Sequence, residues 1–351
     1  MAKAASATDI FPHSDADQPL VHGGDLSIAR RLFPDAPEPF VDLSTGINPH
    51  PYKVPRLAPR VFARLPEAAA LTSLADAAAK TYGAPSAECV TPAPGTQILL
   101  PLVAGLLRPG RAAVIAPTYA EHARAAALAG HSVSDIGDIG AARDAGLAIV
   151  THPNNPDGRL FDKAALIDLA KHLRLRGGLL IVDEAFMDVG PSGASLAGEV
   201  LRGNIVVLRS FGKFFGLAGL RLGFAIAAPA ITARLAAMLG PWAVSGPALA
   251  VGTKALADRV WIDKTRGRLM QAAAKLDTIL TDAGFRIVGG TTLFRLVQTP
   301  AADKLFHHFG RAGILVRPFP NNATWLRFGL PAKAKEWRRL QAALAAFRKS
   351  G

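Results

Sequence analysis

Hydrophobic and polar positions follow two different periods along this chain, and the switches between them mark out its elements. Leu26 to Phe33 is a short amphipathic segment in an otherwise irregular opening, residues 1–45. From residue 68 onward, Leu71, Leu74, Ala75, Ala78 and Ala79 recur at helical spacing and stop at Tyr82-Gly83. Short apolar runs then follow: Ala112 to Ala116, Gly146 to Val150, Leu179 to Val182, Ile205 to Leu208 and Leu222 to Ile226. Between them lie helical stretches at Gln97 to Leu107, Glu121 to Leu128 and Lys163 to Leu173. Strands that are apolar on both faces and alternate with helices predict a largely parallel sheet covered on both sides.

Past Pro241 the pattern changes. A long helix is expected from Pro247 to Thr281, then strands near Phe285 to Val288 and Thr292 to Val297. A helix over Ala302 to Ala312, strands over Gly313 to Val316 and Trp325 to Phe328, and a closing helix from Ala334 to Phe347 complete an α+β pattern. Pro229 and Pro241 are expected to interrupt the helices that join the two regions. The expected fold class is α/β: a three-layer large domain with a mostly parallel sheet, plus a smaller α+β domain. The expected divisions are an N-terminal arm at 1–45 packing on the small domain, a large domain at 46–240, and a linking helix with the small domain at 241–351. A length of 351 residues suits two domains.

Composition narrows the class further. Half the residues are apolar and 19% are charged, which excludes disordered, collagen-like and coiled-coil chains. One cysteine excludes a disulfide framework, a cysteine-based zinc site and an iron–sulfur cluster, and no metal is expected. The 40 Lys and Arg against 27 Asp and Glu give a net charge of +13. These basic residues are scattered singly or in pairs, as at Arg30-Arg31 and Arg338-Arg339, without interleaved aromatics. The excess therefore points to small anions or plain surface charge, and nucleic acid is not an expected partner. Apolar runs such as Ile98 to Leu107 are too short to span a bilayer. The opening residues lack the apolar core of a secretory peptide, so no membrane partner and a cytoplasmic location are expected.

Nucleotide and hydrolase motifs are missing: there is no G-x-G-x-x-G after a strand, no G-x-x-x-x-G-K-[ST], no G-x-S-x-G and no H-E-x-x-H. What remains is a set of polar residues at strand ends, where open α/β sheets bind ligands. Asp183 follows the run Gly178 to Val182; alone, a helix cap or a metal ligand together account for it as readily as a role in binding a ligand. Lys213, in Arg209-Ser-Phe-Gly-Lys-Phe214, follows another strand in apolar surroundings. A desolvated lysine has a depressed pKa and can form a Schiff base, although a snorkelling surface lysine fits too. Thr151-His-Pro-Asn-Asn-Pro-Asp-Gly158 reads as a turn, yet Asn155 before Pro156 is restrained and can present its amide to a bound ring.

Asn155-Pro156, Asp183-Glu184-Ala185, Ser210-x-x-Lys213 and Gly219-Leu220-Arg221-x-Gly223 occur in the order and spacing of the pyridoxal-phosphate enzymes of the aspartate-aminotransferase fold. The chain resembles that superfamily, the class I and II aminotransferases, over roughly residues 40–350. The resemblance implies pyridoxal 5'-phosphate as cofactor, Lys213 as the Schiff-base lysine and proton carrier, and Asp183 as the partner of the pyridine nitrogen. It implies Asn155 on the ring 3-oxygen and Tyr119 stacked on the ring face. Gly95 and Thr96 supply backbone donors to the cofactor phosphate, with Ser210 and Arg221 adding side chains. Arg327, by itself readable as a surface charge, matches the arginine that grips the substrate carboxylate.

Within the superfamily the chain most resembles the cobalamin-pathway L-threonine-O-3-phosphate decarboxylases, and next the histidinol-phosphate aminotransferases. The likeness to the decarboxylases rests on His22-Gly-Gly-Asp25 followed by Leu43-Ser-Thr-Gly-Ile-Asn-Pro49, on Phe186 where aminotransferases generally carry tyrosine, and on Pro241-Trp-Ala-Val-Ser245. It implies a phosphorylated amino-acid substrate held by His22, Asn48, Arg317 and Arg327, and a homodimer with active sites near the interface. A histidine in an arm is, without that likeness, as readily incidental. One departure stands out: the family commonly has a tyrosine reaching the neighbouring subunit's cofactor phosphate, and here Leu65-Pro66-Glu67 occupies the matching place. Residue inventory alone does not separate decarboxylation from transamination.

Overall fold

The computed structural model describes residues 22–350, so the first 21 residues of the expected arm lie outside the described part. Seven strands form the main sheet: β2 (Val90–Ala93), β3 (Arg111–Ile115), β4 (Ser132–Ile136), β5 (Leu147–Thr151), β6 (Leu179–Asp183), β7 (Ile205–Ser210) and β8 (Gly223–Ile226). Their order is β2-β8-β7-β6-β5-β3-β4. Only β8 opposes the rest, pairing antiparallel with both β2 and β7. The five strands legible from apolar runs fall within two residues of their expected limits. The two unforeseen ones are the sheet's edges: β2 carries Pro92, and β4 carries Ser132, Ser134 and Asp135. Edge strands have one unpaired side and need not be apolar, which hides them from a search for buried runs.

Alternation along the central strands fills both faces. Leu147, Ile149, Leu179, Ile181, Val206 and Leu208 pack with Leu99, Val103, Ala125 and Leu235 of the helices Leu99–Ala104, Glu121–Leu128 and Pro229–Leu239. Their neighbours Ala148, Val150, Leu180, Val182, Ile205 and Val207 face Leu74, Ala78, Leu166, Leu169 and Leu249 of the helices Ala68–Tyr82, Lys163–Arg174 and Gly246–Ala257. This second cluster runs on without a break through Leu276, Phe309, Phe328 and Leu344.

A four-stranded antiparallel sheet, ordered β12-β13-β10-β9, comes from β9 (Arg286–Thr291), β10 (Phe294–Gln298), β12 (Arg317–Pro318) and β13 (Trp325–Gly329). The segment after His22 attaches beside it. Strand β1 (Val41–Asp42) pairs in parallel with β11 (Ile314–Leu315), and Ala29, Phe33, Phe40 and Leu315 form a small cluster of their own. Contact there is close: a Cβ added at Gly310 would lie 2.1 Å from the Phe33 ring.

Three helical expectations are corrected. The single helix expected over Pro247 to Thr281 is two, Gly246–Ala257 and Arg259–Asp282, because Asp258 breaks the ladder and its carboxylate accepts from the Trp261 N–H at 2.9 Å. Pro229 does not interrupt a helix but opens one, at its first turn, where its missing N–H has no cost. The helix expected from Gln97 is confined to Leu99–Ala104, leaving Gln97 in the preceding turn. Among the described residues no helix is long and apolar enough to cross a membrane.

Candidate active site

The parallel strands β5, β6 and β7 run in register, with Thr151 beside Asp183 and Asp183 beside Leu208. Because the strands are buried on both faces, polar side chains begin only where they end, and those ends lie side by side. Asp183 is the last residue of β6 and is only 6% exposed. Its Oδ1 accepts from the Ala185 N–H at 3.0 Å. Its Oδ2 lies 3.0 Å from Nε2 of the fully buried His122, a close electrostatic contact without an aligned hydrogen bond.

Lys213 sits in the short helix Phe211–Phe214 directly after β7, with Phe211, Phe214 and Phe215 buried around it. Its Nζ lies 5.8 Å from the centre of the Phe186 ring. Burial, with the charge of Arg327, pulls its pKa down to about 8, against the opposing pull of Asp183. A lysine with a neutral amine within reach near physiological pH has the property a Schiff-base nucleophile needs.

Arg327, on β13, is buried and donates through Nη1 to the side-chain oxygen of Asn155 and through Nη2 to the Ser44 carbonyl at 2.8 Å. Its Nε is buried without a partner. Burial, and then the charge of Arg317, lowers its pKa to about 10. Arg317 on β12 is the cross-strand partner of Arg327. Like charges directly opposite one another are unfavourable in a sheet, so this pairing makes sense where an anion sits between or beside them.

The turn after β2 brings a further cation to the site, Arg221. Gly95 has φ +90°, and a Cβ there would fall 2.4 Å from Nη2 of Arg221. Glycine therefore lets the guanidinium lie against the backbone. Thr96 follows it, and a Cβ on Gly223 would come 2.6 Å from the Thr96 nitrogen. Gly223 is the cross-strand partner of Ser210, whose hydroxyl does not cap the helix it precedes. Gly95, Thr96, Ser210 and Arg221 thus meet at one place. A cradle that a Cβ would fill, a half-buried lysine of lowered pKa and a buried carboxylate near it fit the pyridoxal phosphate implied by the sequence resemblance.

Tyr119 donates its hydroxyl to Gln97 Oε1 at 3.1 Å, and burial, then Glu121 and Asp183, push its pKa up to about 12. Its ring centre is 5.6 Å from that of His122 and 5.6 Å from that of His22.

Two expected substrate contacts have other partners in the structure. His22 Nε2 lies 2.8 Å from Glu121 Oε1. Asn48 is buried, and its amide is used at both ends: Nδ2 donates to the Phe214 carbonyl at 2.8 Å and Oδ1 accepts from the His50 N–H at 2.9 Å. Its own N–H donates to the Lys213 carbonyl at 2.9 Å. Asn48 thus braces the lysine segment from both its side chain and its backbone. Leu65, at the place of the family tyrosine, is 64% exposed.

Sequence reasoning missed His122 and Glu121, three and two residues beyond Tyr119, and the side chain of Gln97, whose backbone alone it placed in the turn with Gly95 and Thr96. It also missed Arg209. This buried arginine reaches Glu184 Oε2 at 3.0 Å and Asp188 Oδ2 at 3.2 Å, with its guanidinium 4.3 Å from the Tyr82 ring centre. Arg209 and Glu184 adjoin Ser210 and Asp183, so the cluster ties the ends of β6 and β7 from the sheet's other face.

Known proteins resemble this chain in sequence and in fold. The chain is 43% identical over 337 residues to a threonine-phosphate decarboxylase from Sinorhizobium sp, covering 93% of this chain and 98% of that one. It is 42% identical over 332 residues to a threonine-phosphate decarboxylase from Pseudomonas aeruginosa, covering 94% and 98%. In fold it is similar to a histidinol-phosphate aminotransferase from Sinorhizobium meliloti solved with pyridoxal-5'-phosphate, at a TM-score of 0.81 and 19% identity over 97% of this chain and 98% of that one. Residues 39–344 match the family described as aminotransferase class I and II, and the chain belongs to that family.

Proposed function

We propose that this chain is a pyridoxal-phosphate-dependent carboxy-lyase that converts L-threonine O-3-phosphate to (R)-1-aminopropan-2-yl phosphate and CO2, for the aminopropanol arm of cobalamin. The observation that carries this reading is the likeness to two threonine-phosphate decarboxylases over nearly the whole of each chain. Pyridoxal phosphate, when bound, supplies an electron sink for the pair left at Cα as CO2 departs.

The chain's own residues do the rest. Lys213 anchors the cofactor, and its ammonium form returns a proton to Cα after the Cα–carboxylate bond has broken. Asp183, buried and backed by His122, keeps a proton on the pyridine nitrogen. Asn155 donates to the ring 3-oxygen, and Tyr119 stacks on the ring. Gly95, Thr96, Ser210 and Arg221 hold the cofactor phosphate. Arg327 takes the substrate carboxylate, while Arg317 and His22 take the substrate phosphate. When bound, the cofactor would activate whichever bond at Cα the pocket presents to it, the Cα–carboxylate bond for loss of CO2 or the Cα–H bond for transamination. Arg327, Arg317 and His22, spaced along the substrate, are the chain's means of choosing that pose.

A homodimer is part of the proposal. Val54, Phe62, Leu65 and Trp242 are large apolar residues at least 47% exposed, and their two segments adjoin, since a Cβ on Gly246 would lie 2.2 Å from the Val61 carbonyl. A second copy covering them would remove an apolar surface that monomers rarely display. Sedimentation of the reconstituted protein tests this, and a fully active monomer overturns it. A cytoplasmic location is part of the same proposal, since a multiply charged phosphorylated substrate does not cross membranes unaided and is used where it is made.

The deciding experiment incubates the reconstituted protein with L-threonine O-3-phosphate and no keto acid, and measures CO2 and amine. Release of both is expected, together with a visible cofactor band that Lys213→Ala abolishes. Histidinol-phosphate turnover dependent on 2-oxoglutarate, with no CO2 released, overturns the assignment.

A further inference from the structure

Glu121 is a carboxylate that the proposed chemistry leaves unused, yet it is only 4% exposed. It opens the helix Glu121–Leu128 and gathers donors from three directions. Oε1 holds His22 Nε2 at 2.8 Å, while Oε2 holds Gln97 Nε2 at 2.9 Å and Arg124 Nη1 at 3.1 Å. Gln97 in turn accepts the hydroxyl of Tyr119 at 3.1 Å. One buried oxygen pair therefore links the N-terminal segment, the turn after β2 and the ring-stacking tyrosine. The N-terminal segment is fixed again just beyond His22. The Gly24 N–H donates to Ser44 Oγ at 2.8 Å, and a Cβ on Gly23 would lie 2.6 Å from the Ser44 carbonyl oxygen. Ser44 also accepts from Arg327 through that carbonyl, so the same short stretch lies against both ends of the site.

A buried carboxylate beside a pocket for anions is unfavourable unless it does something else there, because it repels the ligand and needs its own donors. Here two of those donors belong to parts that must be placed for binding, His22 and Gln97. Arg124, on the same helix, offsets the charge and would do so without either.

We propose that Glu121 is a positioning residue that latches the N-terminal arm onto the pocket, holding His22 beside Tyr119 and, through Gln97, fixing the tyrosine hydroxyl. The inference rests on the reading above in one respect, that His22 meets the substrate phosphate. Glu121 itself touches neither substrate nor cofactor and acts through its partners.

The test compares Glu121→Gln, His22→Gln and the double variant with the unaltered enzyme, all reconstituted with pyridoxal phosphate. Hydrogen–deuterium exchange of the amides of residues 22–32, without substrate, reads the arm. KM and kcat for CO2 release from L-threonine O-3-phosphate read the site. Each single change should speed exchange of that segment several-fold and raise KM about tenfold, with a smaller fall in kcat, as loss of a charge-assisted contact predicts. The double variant should be no worse than the worse single one, because both changes cut the same link. Unaltered exchange in Glu121→Gln, or penalties that multiply in the double variant, overturn the latch. If Glu121→Gln does not fold, unaltered exchange in the half-exposed His22→Gln does so. If the unaltered enzyme releases no CO2, the functional reading fails while the exchange data still decide the latch.

Discussion

Arg327 and Asn155, 172 residues apart, are joined by a hydrogen bond from the guanidinium Nη1 to the amide oxygen. This bond settles which way the asparagine faces. Its oxygen is taken, so its NH2 is the end left for a ligand, as a donor to a ring oxygen must be. The same guanidinium also reaches the Ser44 carbonyl, and so holds two loops together before any substrate arrives.

Arg327→Lys should therefore do more than weaken a carboxylate contact. An ammonium cannot reach Asn155, Ser44 and a carboxylate with one planar fork. KM for L-threonine O-3-phosphate should rise about 30-fold or more, with kcat falling too because Asn155 is released. Steady-state kinetics check this; an unchanged KM would remove Arg327 from the carboxylate site.

Asp183→Asn keeps the shape of the side chain but removes its charge from beside His122. CO2 release should drop about 1,000-fold, because the anion proposed for the ring nitrogen is gone. His122→Phe, which leaves Asp183 in place, should cost about tenfold through loss of orientation alone. Single-turnover rates distinguish the two, and equal losses would refute the division of labour.

The lowered pKa of Lys213 makes a prediction about the cofactor-free protein. The folded lysine titrates near 8, below its ordinary 10.5. At pH 7 both folded and unfolded chains are charged there, and the folded state bears the full cost. Between pH 8 and 10.5 the folded amine is neutral while the unfolded one still holds its proton, so the cost fades as pH rises. Lys213→Met should thus stabilise the cofactor-free protein by about 1–2 kcal/mol at pH 7, allowing for partial solvent access, and by almost nothing at pH 11. Denaturant unfolding at the two pH values is the measurement; a gain that persists at pH 11 would locate its cause in packing.

Arg209→Met should destabilise the fold by about 3–5 kcal/mol at pH 7, since it leaves Glu184 and Asp188 buried without their counter-charge. Burial already pushes the Glu184 carboxyl up, against the pull of Arg209. The loss should be smaller at pH 5, because the Glu184 carboxyl that burial pushes up binds a proton more readily once Arg209 is gone. Urea unfolding at both pH values checks the sign.

The central layers were legible because buried parallel strands write themselves as apolar runs bounded by polar punctuation. Asp183, Ser210 and Lys213 follow such runs in the sequence and follow them in the structure. Edge strands were not legible, since Pro92 and Asp135 are tolerated only where one side of a strand is free. Nor was the break at Asp258, where apolar spacing continues across a cap. In the site, what escaped were residues defined by partners far along the chain. Nothing local says that Glu121 is buried, that Arg209 has two carboxylates waiting, or that the Asn48 amide is committed to the Phe214 carbonyl and the His50 N–H.

The pairing of Val41–Asp42 with Ile314–Leu315 bears on how the molecule is made. Leu43 accepts from the Gly329 N–H at 2.7 Å, and Ser44 from Arg327, so the strip around residue 43 meets the last of its neighbours only after residue 329 exists. On the ribosome that strip emerges early and waits through most of translation with Val41 and Leu43 uncovered. The central sheet, complete by Ile226, can assemble in the meantime. Long-range closures of this kind are slow and leave apolar surface open to wrong partners. Catalytic competence is thus the last property the nascent chain acquires, gained when its two distant stretches finally meet.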